Sequence, residues 1–125
     1  MLTNHDMDSK TPFATVLLGQ PTLRRMIKLG VLAALDQRIA VRYQMTGMTA
    51  EETAAYIRHH LQLAGRDGDL FSDDAIAQIH QAARGKPRAV NNLAIAALIA
   101  TYAAGKNIAD QSAARAAISE VIASE

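Results

Sequence analysis

The sequence predicts a mostly α-helical protein, in which a short β-α-β element precedes a compact domain of four helices. Apolar residues recur at helical spacing over most of residues 48–125, whereas runs suited to strands lie before residue 44. Alanine supplies 25 of the 125 residues and aromatic side chains only five, which favours a core of closely packed helices. Glycine and proline separate the segments where these patterns change.

The first part of the chain carries the patterns of two short strands. Phe13–Leu18 is a continuous apolar run, closed by Gly19-Gln20-Pro21, and is typical of a strand buried on both faces of a parallel sheet. Pro21 then starts an amphipathic helix, and Gln37–Tyr43 alternates as a second strand would. One helix between two strands forms a βαβ element. Two strands do not make a stable sheet alone.

The rest of the chain carries the start and stop signals of four helices. The predicted starts are a Thr-x-x-Glu capping box, a serine before two aspartates, a proline and an aspartate: Thr49, Ser72, Pro87 and Asp110. Glycines end the first three helices, at Gly65, Gly85 and Gly105. The sequence therefore predicts two domains, residues 1–46 and 47–125.

Composition excludes several classes of protein. A net charge of +1 argues against attraction of the whole surface to nucleic acid. Without cysteine, the chain has no disulfide framework, thiolate chemistry or cysteine-based zinc site. Its longest apolar stretch, residues 89–104, is too short and polar to span a bilayer, and no signal-peptide core follows the first residues. We therefore expect a cytoplasmic protein without membrane insertion.

The most informative motif is Gly85-Lys86-Pro87-Arg88, which opens the third of the four helices. Helix starts usually favour acidic residues, because their free N–H groups and the helix dipole make that end positive. Here the start carries Lys86 and Arg88, with Arg84 just before them. Backbone N–H groups together with cations would bind an anion, and phosphate is the anion of most functional interest. The alternative is that these cations are simply solvated.

The motifs of an autonomous nucleotide hydrolase are missing. A phosphate-binding loop needs Gly-x4-Gly-Lys-Ser/Thr, but Gly85-Lys86 precedes proline and Gly105-Lys106 precedes asparagine. No predicted strand ends in the acidic pair that would coordinate magnesium. The adjacent His59 and His60 diverge by about 100° around a helix and do not share a metal ion. We predict no metal site.

Two further polar residues lie where phosphate chemistry would place them. Gln20 follows the C-terminal end of the first predicted strand, where open α/β sheets form their ligand crevice. Arg38 lies at the junction between the basic helix and the second predicted strand. Taken alone, such a glutamine is often a turn residue and such an arginine is usually solvated. Their significance depends on their order and spacing relative to Arg88.

In that order and spacing, these segments resemble the C-terminal half of an AAA+ ATPase. Val16–Pro21 looks like the sensor-1 strand, with Gln20 in place of the usual Asn or Thr. Leu35–Ile39 looks like the segment with the arginine finger, and Gly85–Leu93 looks like the sensor-2 helix of the lid. The resemblance covers nearly the whole chain. It is strongest to general secretion pathway protein A and to the helper ATPases of bacterial transposons.

The resemblance implies a role for each site residue. Gln20 and Arg38 would be catalytic, the first positioning the attacking water and the second reaching into a neighbouring subunit's site. Lys86 and Arg88 would bind the nucleotide, and Arg88 would sense its γ-phosphate. ATP and magnesium would be the cofactors of the complete protein. Leu2–Asn4 would belong to a helix that follows the Walker B strand.

The resemblance also implies an organisation. Residues 1–46 would be the C-terminal remnant of the α/β nucleotide-binding domain, and residues 47–125 would be the helical lid. The Walker A and Walker B motifs that hold the nucleotide would lie upstream of Met1. The chain therefore looks like a truncated product, which we expect to bind nucleotide poorly and to hydrolyse none.

Two kinds of function follow from this interpretation. The complete protein would couple ATP hydrolysis to assembly on DNA in transposition, or to secretion. Its partners would be the other subunits of an AAA+ ring and, in transposition, a transposase and DNA. Unpaired edges at Phe13–Leu18 would favour self-association. The alternative is an ATP-independent helical adaptor that binds a protein or DNA, first through the basic residues Arg24, Arg25 and Lys28.

Overall fold

Helices account for most of the described residues, 13–123, in a computed structural model of the protein. The chain divides into two units, residues 1–44 and 45–125. Among its described residues, the first unit contains two α-helices separated by a 3-10 turn: α1 Pro21–Ile27, the turn Gly30–Leu32, and α2 Ala33–Arg38. The second contains four α-helices: α3 Ala50–Leu63, α4 Asp73–Ala83, α5 Pro87–Ala103 and α6 Gln111–Ala123. The helix predicted to include Leu2–Asn4 lies outside the described residues.

The two predicted strands are not formed among residues 13–123. Residues 13–20 and 39–49 are irregular, and the side chains of Val16 and Leu18 are 77% and 82% exposed. A strand requires a partner to satisfy its backbone N–H and C=O groups, and no described segment pairs with either run. The βαβ element is therefore absent from the part of the chain that the structure describes.

The segment between the two irregular runs also differs from the prediction. The helix that starts at Pro21 stops at Ile27, close to Gly30, a residue of low helix propensity. Helix α2 then continues to Arg38, where the second strand was expected. The guanidinium of Arg42 donates to the Asp36 carbonyl oxygen at 2.7 Å and pairs with the Asp36 carboxylate at 3.0 Å. The chain after α2 is thereby held against the C-terminal end of the helix.

The four predicted helices of the second unit are present and enclose one core. Helix α5 packs against α3, α4 and α6, and Ile79 of α4 and Val90 of α5 are fully buried. Small side chains supply much of this core and allow close helix approach. Its buried members are Ile57, Phe71, Ala75, Ile76, Ile79, Ala83, Val90, Leu93, Ala97, Ala109, Ala113, Ala114 and Ala117.

The predicted helix starts of this unit carry the expected caps. Thr49 Oγ1 accepts from Glu52 N at 3.2 Å, and Glu52 Oε2 accepts from Thr49 N at 2.9 Å, which completes the capping box. Ser72 Oγ accepts from Ala75 N at 3.2 Å. Asp110 Oδ1 accepts from Ala113 N at 3.0 Å, and Pro87 is the first residue of α5. Local sequence signals therefore locate these starts correctly.

A short backbone pairing joins the starts of α4 and α6. Ser72 N donates to Ala109 O at 2.9 Å, and Ala109 N donates to Leu70 O at 2.8 Å. Phe71 and Ala109 consequently form an isolated parallel bridge, and both are buried. This pairing, between residues distant in sequence, was not predicted.

Truncating Ile79 tests the position of the core. Ile79→Ala removes a fully buried side chain, so we expect the free energy of unfolding to fall by about 2–5 kcal/mol. Ile95→Ala is the matched control, because Ile95 is 58% exposed on α5, and its effect should stay within about 0.5 kcal/mol. Urea denaturation measures both. Equal losses would contradict the assignment of Ile79 to the core.

The Asp110 carboxylate should titrate at unusually low pH. Hydrogen bonds from Lys106 Nζ at 2.6 Å, Ser112 Oγ at 2.6 Å and the Ala113 amide hold its pKa well below the usual range. Because the folded pKa is lowered, the resulting stabilisation is present above the unfolded value of about 3.9 and is lost as pH falls through the folded value. Carboxyl NMR titration should show this low midpoint, and Lys106→Met should raise it. A midpoint near 3.9 in the unmodified protein would contradict the prediction.

Candidate functional site

The two residues predicted to bind nucleotide lie where the turn after α4 leads into α5. Helix α4 ends at Ala83, and Arg84 and Gly85 follow with φ angles of 52° and 66°. These left-handed conformations reverse the chain so that Lys86 occupies the N-cap position of α5 and Pro87 is its first residue. The side chains of Lys86 and Arg88 are both exposed. The structure therefore brings these two predicted residues together at one helix start.

The backbone at this start leaves two N–H groups for a ligand. Pro87 has no N–H, and Val90 N donates to Lys86 O at 2.9 Å as the first intrahelical bond. The amides of Arg88 and Ala89 therefore have no carbonyl partner within α5. The Lys86 side chain does not cap the helix, and the first turn contains no acidic residue. Amides, helix dipole and cations all favour an anion at this point.

The other helix starts of the unit show how unusual this charge pattern is. Helix α3 has Glu51 and Glu52 in its first turn, and α4 has Asp73 and Asp74. Helix α6 follows Asp110, whose carboxylate caps it. In those helices a side-chain carboxylate lies close to the positive end. At α5, an anion from outside the chain can take the same position.

Two glycines allow the segment before α3 to touch this turn. Met48 N donates to Gly85 O at 2.8 Å. A Cβ atom on Gly85 would lie 2.6 Å from the Met48 nitrogen and would overlap the Met48 carbonyl oxygen. A Cβ atom on Gly47 would overlap the Arg84 carbonyl oxygen. Sequence patterns predicted a helix end at Gly85 and a domain boundary at Gly47. They did not predict that the segment before α3 contacts the α4–α5 turn.

A buried hydrogen bond joins α3 to α4 near the same turn. Thr53 is fully buried, and its Oγ1 donates to Thr49 O at 2.8 Å. The same oxygen lies 2.8 Å from Nδ1 of His80, in the last turn of α4. Since the hydroxyl proton is already committed to Thr49, we assign His80 Nδ1 as the donor. The sequence did not indicate this pair either.

The predicted catalytic residues lie in the first unit. Gln20 is the N-cap residue of α1, and its exposed side chain makes no capping hydrogen bond. Arg38 is the exposed last residue of α2. The two residues therefore stand at opposite ends of the α1–α2 segment. Their catalytic roles stay predictions.

The described residues fit one part of a magnesium nucleotide. The α5 start offers two amides and two cations to a phosphate oxygen. Among residues 13–123, no group of three or more His, Cys, Asp or Glu side chains is arranged to hold a metal ion. Within the same range, the helices are too short or too polar to cross a membrane.

Comparison with known proteins supports the predicted relation. Over 107 residues, or 86% of the chain, the sequence is 36% identical to General secretion pathway protein A of Aeromonas hydrophila. The chain spans 20% of the length of that relative. No protein-family model matches, and no solved structure matches. The relation to general secretion pathway protein A is thus supported, and the grouping with transposition helper ATPases stays a prediction.

Replacing Thr53 tests the buried link between α3 and α4. Thr53→Val conserves shape but leaves the His80 N–H without its acceptor, so we expect a loss of about 1–3 kcal/mol in unfolding free energy. Thr101→Val is the matched control, because the buried Thr101 hydroxyl donates to the Ala97 carbonyl of its own helix. Its loss should be smaller, since that carbonyl keeps its helical partner. Thermal unfolding and the ring nitrogen resonances of His80 measure the difference; an unchanged His80 spectrum in Thr53→Val would contradict the assignment.

Proposed function

We propose that the chain is the sensor-2-bearing, C-terminal part of an AAA+ ATPase related to general secretion pathway protein A, and that the start of α5 contacts a nucleotide phosphate. The observation that carries this proposal is the α5 start itself, where two cations and two free amides replace the usual acidic residues. Because the similarity covers 107 of 125 residues, it includes this turn wherever the match begins.

The domain organisation follows from the same proposal. Residues 47–125 are the helical lid, and the division between the two structural units, after Gln44, lies close to that boundary. Residues 1–46 are the last part of the α/β nucleotide-binding domain. The exposed apolar side chains of Val16, Leu18 and Val41 are those that a surrounding sheet would cover. Phe13–Leu18 then forms a strand only where its neighbouring strands are present.

Each site residue acts on a different part of the nucleotide reaction. Arg88 contacts the γ-phosphate and Lys86 adds a second positive charge at the same helix start. Gln20 orients the attacking water, and Arg38 acts in the site of an adjoining subunit. ATP and magnesium are the cofactors of the complete ATPase. The described residues of this chain contribute the phosphate contact, and magnesium ligands come from the Walker motifs.

Secretion is the setting that the comparison favours, since the related protein is named for the general secretion pathway. The partners are then subunits of an AAA+ ring. The transposition role, with a transposase and DNA, rests on the sequence resemblance alone. So does the ATP-independent adaptor, whose basic residues Arg24, Arg25 and Lys28 are exposed on or next to α1.

Titration with inorganic phosphate or ATP tests the α5 start. We expect millimolar binding at best, because one or two charge-assisted hydrogen bonds, each of about 1.5–3 kcal/mol, do little more than offset association costs. Amide chemical-shift changes should centre on residues 88–90 and weaken with added salt. Arg88→Ala should remove most of the response with little effect on stability, because Arg88 is exposed.

Arg115→Ala is the matched control for this experiment. Arg115 is an exposed arginine on α6, so its removal changes the net charge equally while leaving the α5 start intact. The phosphate response should be retained in Arg115→Ala. Small and uniform shifts over all basic residues would mean that Lys86 and Arg88 are merely solvated, and would remove the structural support for nucleotide binding.

A further inference from the structure

The segment before α3 contacts the α4–α5 turn through backbone atoms. We propose that Gly47 and Gly85 are positioning residues, whose backbone contact determines where the phosphate-binding start of α5 lies relative to α3. This inference rests on the function proposed above. It concerns two glycines that touch no phosphate themselves and that act through Lys86, Arg88 and the free amides beside them.

The contact is close on both sides. The Gly85 carbonyl oxygen accepts from Met48 N at 2.8 Å, and the space beside each glycine Cα is filled by the opposite backbone. A Cβ on Gly47 would also lie 3.2 Å from the Gly85 carbonyl carbon. Backbone atoms cannot move away by changing rotamer, as a side chain can. A methyl group at either position would therefore push the two segments apart.

Conformation alone does not account for these glycines. Gly85 and Gly105 share a φ angle of 66°, so both avoid the strain of a left-handed side-chain residue, but a Cβ on Gly105 would meet nothing within 4 Å. Gly47 has no positive φ, so the close approach to Arg84 is the reason that the structure offers for a glycine there. Two independent positions thus point to the same contact.

The contact completes a closed series of chain segments and hydrogen bonds around the turn. Met48 leads into the Thr49 cap and the first turns of α3, where buried Thr53 bonds to His80. His80 lies in the last turn of α4, and that helix leads directly into Arg84 and Gly85. The Met48–Gly85 hydrogen bond joins the two ends. Both series of contacts end at Gly85. The position of Lys86 and Pro87, which follow it, is therefore fixed relative to α3 and α4.

A consequence is reciprocal coupling between the phosphate and the segment that leads into α3. An anion held by the Arg88 and Ala89 amides restrains the turn and hence the Gly85 carbonyl. The Met48 amide should then respond to phosphate, although it belongs to a different segment. By thermodynamic linkage, breaking the Met48–Gly85 hydrogen bond must weaken phosphate binding by the same factor by which bound phosphate stabilises that hydrogen bond.

The experiment compares four alanine variants of the full chain with inorganic phosphate as the probe. Gly47→Ala is paired with Gly30→Ala, since Gly30 also lacks a positive φ and has nothing within 4 Å of an added Cβ. Gly85→Ala is paired with Gly105→Ala, which carries the same left-handed strain without the contact. The readouts are hydrogen exchange of the Met48 amide, the phosphate dissociation constant from the Arg88 and Ala89 amide shifts, and Tm.

We expect Gly47→Ala and Gly85→Ala to accelerate Met48 exchange and weaken phosphate binding, each by about fivefold or more. Gly30→Ala and Gly105→Ala should leave both quantities unchanged, whatever they do to Tm. In the unmodified chain, phosphate should shift the Met48 amide resonance. If Gly85→Ala fails to fold, Gly47→Ala and the Met48 shift of the unmodified chain decide the question.

The outcomes separate the two proposals. Unchanged phosphate affinity in a Gly47→Ala variant that has lost Met48 protection overturns the positioning role and leaves the phosphate site intact. The absence of any phosphate shift at Met48 in a chain that binds phosphate at Arg88 overturns it as well. No localised phosphate response in the unmodified chain refutes the proposed function, and with it the positioning role.

Discussion

The burial of α5 is the constraint on which the rest of the second unit depends. This helix packs against α3, α4 and α6, and its residues Val90, Leu93, Ala97 and Thr101 are buried along its length. Small side chains on α6 allow the two helices to approach closely. A helix held on several sides presents its first turn in a fixed direction. The exposed cations of that turn therefore rest on a rigid support.

The elements that the sequence predicted correctly depend on a few neighbouring residues. The caps at Thr49, Ser72 and Asp110 each need an acceptor and an amide two or three residues away, so their pattern is visible in the chain. A strand depends on a partner that sequence proximity does not supply. Phe13–Leu18 was recognised as an apolar run, but no described segment pairs with it, and the strand prediction failed there.

The candidate site divides in the same way. Lys86 and Arg88 could be located from the sequence, because helix starts usually favour acidic residues and the four residues Gly85–Arg88 carry cations instead. Two other contacts join residues that are far apart in sequence: Gly47 with Arg84, and Thr53 with His80. No local sequence pattern predicts either contact. Gln20 and Arg38 were assigned roles through family resemblance, and those roles stay predictions.

The charge at the α5 start also relates stability to function. A cation near a helix N-terminus costs about 0.3–1 kcal/mol where a carboxylate would stabilise by a similar amount, and α5 carries two such cations with no acid in its first turn. The fold tolerates this cost because burial of the helix body, rather than its terminus, supplies most of its stability. A bound phosphate would reverse the sign of the local interaction. The same two residues that weaken the free helix start would then stabilise the occupied one, so that phosphate binding and the stability of the second unit would be linked at a single turn.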